Sequence, residues 1–208
     1  MLHRRRLMAL GAWGVAAPRL AAAFVDPIEM PAPAVARPAL GSLLATACAG
    51  GRVVAAGQRG RIVYSDDGGK AWTQAAVPVS VDLVGLVFSS ATAGWAVGHG
   101  GVVLVTRDAG SSWNKSLAGR QADEVALRYY ATLAAPTPGD ARLRDRLRAQ
   151  FADRRAQPFL DVTFDGLRDG FVVGAFNTAF RTDDGGATWV PWMDRTANPQ
   201  ELHLNAVR

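Results

Sequence analysis

The sequence predicts an all-β fold built of β-propeller blades. About three repeats form an incomplete propeller, with an inserted helical hairpin and an N-terminal signal peptide. Three observations carry this expectation. An eight-residue motif occurs three times, its copies share an upstream pattern in register, and the first two copies lie 41 residues apart. That spacing is the length of one four-stranded blade.

The copies are Ser65-Asp66-Asp67-Gly68-Gly69-Lys70-Ala71-Trp72, Thr106-Arg107-Asp108-Ala109-Gly110-Ser111-Ser112-Trp113 and Thr182-Asp183-Asp184-Gly185-Gly186-Ala187-Thr188-Trp189. Each has a hydroxyl first, then Asp third, Gly fifth and Trp eighth. Runs ending in Gly57, Gly98 and Gly174 precede them. Asp, upstream Gly and Trp all give a second spacing of 76, so 35 extra residues fall between Trp113 and Phe159. Within the middle repeat, apolar runs bounded by Gly, Asp and Ser predict four strands. These are Leu83–Phe88 innermost, Trp95–Gly98, Val102–Val105 and Trp113–Leu117 outermost. In the motif, Ser65, Thr106 and Thr182 with Asp67, Asp108 and Asp184 suit a tight turn whose backbone N–H groups they accept. Gly69, Gly110 and Gly186 admit positive φ. Trp72, Trp113 and Trp189 anchor the hairpin through apolar area. All of these positions are expected to be structural.

The N-terminus has the order of a secretory signal: His3-Arg4-Arg5-Arg6, the apolar run Leu7 to Ala17, then Ala21-Ala22-Ala23. The run is too short to span a bilayer, which needs roughly 20 residues. Export is therefore expected, to the periplasm, or to a thylakoid lumen in a photosynthetic source. The signal carries four of the arginines and no acid, so the formal charge falls from +5 to +1 without it. The basic balance thus gives no reason to expect a nucleic-acid partner, and no basic stripe is interleaved with aromatics. Cys48, the one cysteine, sits among small apolar residues and is expected to be buried core. The expected division is a signal peptide over 1–23, a Pro/Ala-rich leader over 24–41, and two repeats over 42–118. The insertion occupies 119–157, and 158–208 holds the third repeat and the start of a fourth.

Residues 121–135 and 140–155 of the insertion read as helices. Ala122, Val125, Ala126, Tyr129, Tyr130 and Leu133 share one face of the first; Leu143, Leu147 and Phe151 share one face of the second. Asp140 is the expected N-cap. Arg142, Arg144, Arg146, Arg148, Arg154 and Arg155 are expected opposite that apolar stripe. They make either a solvated face or a docking arm for an acidic or anionic partner.

The motif resembles the BNR, or Asp-box, repeat. The wording from Val54 through Trp72, and Gly94-Trp95-Ala96-Val97-Gly98-His99-Gly100-Gly101, looks like the photosystem II stability/assembly factor family. The resemblance covers roughly 42–118 and 158–208. It implies a non-catalytic exported propeller that binds a membrane-protein client during assembly. The charged insertion departs from that family and looks like non-photosynthetic relatives. Leu202 to Arg208 resembles the opening strand of a further blade, so the chain is expected to be a truncated product.

The Asp box is shared with sialidases, and a sialidase-like glycoside hydrolase is the alternative. Such enzymes need an arginine cluster, a Tyr nucleophile with a carboxylate partner, and an acid. No arginine triad is evident. His99 and His203 stand alone without zinc-ligand spacing, and no glycine loop leads into a helix to cradle phosphate. No cofactor, metal or small-molecule substrate is expected; the partner is a protein client. Arg59 and Arg61 are the candidate contacts, because they place charge in a strand connection where the other repeats have Gly100 and Val102, or Phe176 and Thr178.

Overall fold

The computed structural model describes residues 25–135, 137–152 and 156–208. The expected signal peptide, and Asp153, Arg154 and Arg155 of the insertion, lie outside them. The described chain forms three four-stranded antiparallel meanders. Blade 1 contains β1 (Leu43–Ala49), β2 (Arg52–Gly57), β3 (Ile62–Ser65) and β4 (Thr73–Gln74). Blade 2 contains β5 (Leu83–Phe88), β6 (Gly94–Gly98), β7 (Val102–Thr106) and β8 (Asn114–Leu117). Blade 3 contains β9 (Phe159–Asp165), β10 (Asp169–Gly174), β11 (Ala179–Thr182) and β12 (Val190–Pro191). The first strands lie side by side, β1 against β5 and β5 against β9, so they are the inner strands of successive propeller blades.

The glycine closing each second strand has one cause. A Cβ on Gly57, Gly98 or Gly174 would run into the carbonyl oxygen of Ser42, Asp82 or Pro158, just before the inner strand of the same blade. The backbones approach too closely there for any side chain. A bulge sits beside this contact in every blade, at Leu43/Ala45, Leu83/Gly85 and Val173/Gly174. It resets the pleat so that the inner strand turns its apolar residues toward the next blade.

Two apolar layers result. Val54, Ala56, Ile62, Leu83, Leu104 and Trp113 fill the space between blades 1 and 2. Trp95, Val97, Phe159, Val162 and Phe180 fill that between blades 2 and 3. The second layer extends onto the insertion, helices α1 (Arg120–Thr132) and α2 (Pro138–Ala152). Ala122, Ala126 and Tyr130 of α1, with Leu147 and Phe151 of α2, are buried on it. Burying Leu147 and Phe151 is worth about 2 kcal/mol each.

Three expectations are corrected. Helix α2 is capped by Thr137, not by Asp140. The Thr137 hydroxyl accepts the Asp140 amide at 3.2 Å, and the Asp140 carboxylate accepts the Thr137 amide at 3.1 Å. This is a capping box with Pro138 at the first helical position. Helix α1 also ends earlier than expected, at Thr132. Finally, Cys48 is exposed. Strand β1 alternates, and Leu44, Thr46 and Cys48 point to the side that no neighbouring blade covers among the described residues.

Residues 26–40 are bound as a strap. Ser80 donates to the Pro27 carbonyl at 2.8 Å, Ala32 to Val77 at 3.0 Å, and Lys115 Nζ reaches the Ile28 carbonyl at 2.9 Å. The segment therefore lies along the connection from blade 1 to blade 2.

Candidate functional site

The three hydroxyl-Asp-Gly-Trp motifs, called boxes from here on, are built alike. In each, the first hydroxyl donates to the Asp carboxylate at 2.8 Å: Ser65 to Asp67, Thr106 to Asp108 and Thr182 to Asp184. The same hydroxyl accepts the amide of Gly69, Gly110 or Gly186, at 2.8, 3.0 and 2.9 Å. The carboxylate in turn accepts amides further along than a two-residue Asx turn would give. Asp67 takes Lys70 and Ala71, Asp108 takes Ser112, and Asp184 takes Thr188, all at 2.9 Å. Gly69, Gly110 and Gly186 have φ of 93°, 84° and 89°, a region that favours glycine.

These bonds act on ionisation. The Ala71 amide, then the Ser65 hydroxyl, hold the Asp67 carboxyl below the usual aspartate range. At Asp108, burial pushes upward, but the hydroxyl and amide of Ser112 outweigh it and the net shift is down. Asp184 follows the same balance: burial pushes up, Thr188 and Thr182 pull down further, and the pKa falls to about 2. Hydrogen bonds to the charged form dominate at all three.

The boxes also lock blade to blade, a role the sequence reading missed. Arg52 of β2 lies 4.0 Å over the Tyr64 ring and donates to the carbonyl of Ala109 at 3.3 Å and the Ser111 hydroxyl at 2.7 Å, inside the second box. Arg107 lies 5.1 Å over Trp95, and both donate to the Gly185 carbonyl of the third box, at 3.2 and 3.1 Å. Trp72 and Trp113 bond the glycine carbonyl of their own box at 2.9 and 3.1 Å. Trp189 does not: its indole N–H goes to the Ser116 hydroxyl at 2.9 Å, and Ser116 donates onward to the Gly186 carbonyl. A serine of blade 2 thus completes the box of blade 3. Ser116→Ala is expected to cost about 2 kcal/mol in urea denaturation, since it strands a part-buried donor and acceptor together.

The candidate contacts part company. Arg59 is exposed, at the tip of the β2–β3 connection, with φ 55° and ψ 41°. Its amide donates to Asp82 Oδ1 at 2.9 Å. Gly100 holds the same place in blade 2 with φ 70°, and Phe176 in blade 3 with φ 52°. Arg61 is half-buried and donates to the Leu40 carbonyl at 2.6 Å, so it tethers the strap. The insertion rises from the same end of the sheets: Gly119 donates to the Gly100 carbonyl at 3.0 Å and Gln150 to the Phe176 carbonyl at 2.8 Å. The α2 arginines flank its buried stripe instead of forming one opposite face. Arg144 pairs with Asp145 at 3.3 Å and Arg146 with Glu201 at 2.9 Å, while Arg142 and Arg148 are exposed.

Tyr130 and Tyr64 are placed poorly for nucleophilic attack. Tyr130 is buried and donates to Asp194 at 3.3 Å. Burial, then the Asp194 charge, push its hydroxyl far above the ordinary tyrosine range, the reverse of activation. Tyr64 lies under Arg52. Among the described residues no cluster of His, Cys, Asp and Glu could hold a metal ion, and no helix is long and apolar enough to cross a membrane.

No protein-family model matches the chain, and no curated protein sequence does. Solved structures do. A structure of YCF48 bound to D1 peptide is 16% identical, with a TM-score of 0.48, over 72% of this chain and 40% of that one. YCF48 from Cyanidioschyzon merolae is 18% identical, with a TM-score of 0.47, over 73% of this chain and 40% of that one. An ancestral GH74 enzyme is 13% identical, with a TM-score of 0.45, over 71% of this chain and 18% of that one. The chain spans about 40% of the length of the two YCF48 structures.

Proposed function

We propose that this chain is a non-catalytic, exported binding module, an assembly or stability factor for a membrane protein complex. It meets a protein client through the end of the sheets that carries Arg59 and the helical insertion. The Asp-box wording of residues 54–72 and 94–101 supports the assembly reading, and the signal-like N-terminus supports export. The observation that carries the binding surface is Arg59 itself. A long charged side chain holds a left-handed backbone conformation at an exposed tip, where blade 2 places glycine. That conformation costs a non-glycine residue about 1 kcal/mol, and strain kept at an exposed site points to use by a partner.

Arg59→Gly tests this, because it separates binding from folding. Relief of the backbone should raise stability by about 1 kcal/mol, while capture of the client from a membrane extract of the source organism falls at least tenfold. Equal capture of the same proteins by both forms would remove Arg59 from the site. Capture of none by the unaltered protein would overturn the binding reading. Arg61 is a poor choice for the same experiment, since its loss frees the strap.

A further inference from the structure

We infer that Phe176 is a second anchor on the end of the sheets that carries Arg59. The occupant is an extended peptide with an acidic residue and, about six residues away, an apolar one. This rests on the reading that a protein client meets this end, and adds what its contacting segment must contain. Three connections stand in a row there, β2–β3, β6–β7 and β10–β11, with Arg59, Gly100 and Phe176 at equivalent places and φ of 55°, 70° and 52°. Only the middle one is glycine. A Cβ on Gly100 would stand 2.6 Å from Ile28 Cδ1 of the strap, so that tip has room for backbone alone. The row is therefore a saddle, low at Gly100 and raised at either side by a long side chain.

Phe176 is 50% exposed, yet its backbone is pinned. Its amide donates to His203 Nδ1 at 3.0 Å, its carbonyl accepts Gln150 Nε2 at 2.8 Å, and its ring meets the His203 ring edge-on at 4.8 Å. The next residue, Asn177, also has a positive φ, 59°, and is buried. Its side-chain oxygen accepts Thr196 Oγ1 and Asn198 Nδ2, both at 3.0 Å. An aromatic ring kept in water, on a backbone that disfavours any side chain, is costly twice over. Held rigid in advance, such a ring loses little freedom when a partner covers it. At the other side of the saddle, Asp82 is engaged by the Arg59 amide, and the guanidinium makes no ion pair among the described residues. A cation on blade 1 and a ring on blade 3 ask for a carboxylate and an apolar side chain. Packed sheets lie about 10 Å apart, so the two tips are about 20 Å apart. An extended chain covers that in about six residues at about 3.3 Å each.

The test selects displayed random peptides, long enough for either conformation, on the immobilised full chain. The enriched sequences are expected to share an acidic residue and an aromatic or aliphatic one about six positions apart. Phe176→Asn should keep the acidic preference, lose the apolar one, and weaken a parent-selected peptide about tenfold. Asparagine tolerates the left-handed backbone, so the thermal midpoint should stay within about 3 °C of the parent's. Phe176→Tyr should restore the affinity, and Arg59→Gly should lose the acidic preference while keeping the apolar one. Selection of the same sequences by Phe176→Asn and the unaltered chain overturns the inference. A spacing of about thirteen residues would give the site to a helix and overturn the extended segment. Enrichment of nothing overturns it as well. Capture of the client through Arg59 could still succeed in that case, so the two readings fail separately.

Discussion

Trp95→Ala is expected to cost about 4 kcal/mol, the largest loss from any single substitution in this fold. Trp95 is fully buried, stacks on Phe164 of blade 3 with ring centroids 3.5 Å apart and planes 9° off parallel, and donates to the Gly185 carbonyl. Removing it empties the layer between two blades, leaves that carbonyl to Arg107 alone, and takes the stacking partner from Phe164, which keeps an edge contact with Trp189. A native domain has only about 5–15 kcal/mol in all. The loss should therefore show in urea denaturation as a lowered midpoint. Amide exchange should show blade 3 opening before blade 1. Trp95→Phe separates the contributions: it keeps ring contact, loses the N–H donor, and should cost about half as much. Equal protection of blades 1 and 3 in Trp95→Ala would refute the blade-to-blade role given to this residue.

The second large effect is acid lability through the boxes. Asp67, Asp108 and Asp184 all titrate below the usual aspartate range, Asp184 at about 2. A carboxyl with a lower pKa in the folded state than in the unfolded state binds protons more weakly when folded. Its stabilisation is complete above about pH 4 and is lost as pH falls toward 2. The urea midpoint should hold steady from pH 7 to 5 and then drop steeply. Asp184→Asn removes one charged acceptor from Thr188 and Thr182, and should cost about 2 kcal/mol at pH 7. Its acid slope should be shallower than that of the unaltered chain. A variant as steep as the parent would mean that other carboxyls govern acid unfolding.

What could be read in advance follows the range of the forces involved. Strands and boxes were legible because their signals are local: apolar runs bounded by Gly, Asp and Ser in β5–β7, and a hydroxyl, Asp, Gly and Trp at fixed offsets within eight residues. The helical stripe through Ala126, Tyr130, Leu147 and Phe151 was legible for the same reason. The blade-to-blade locks were not. Arg52 and Ser111 are 59 residues apart, and Trp95 and Gly185 are 90 apart, and no offset in the sequence announces them. Arg61 was named for its charge in a connection, and its bond to a carbonyl of the leader was not foreseen. Cys48 was misread from composition alone, although the alternation of β1 already assigned it to the opposite side from Ala47 and Ala49. At α2, Thr137 and Asp140 had the spacing of a capping box, and only the acid was noticed.

The strap has a consequence for the order in which the molecule comes together. Its backbone bonds reach 45 residues ahead at Ala32, and Lys115 closes on Ile28 across 87. Loops of that length close slowly, and they close only onto surfaces that already exist. The segment ahead of blade 1, synthesised before either blade, is thus the last part of the first two blades to settle. It dates the completion of blade 2: while Lys115 is still unplaced, Ile28 and Glu29 lack their hold on β8. Once β8 is laid down they gain it. Chain order and assembly order run in opposite directions at this end of the protein.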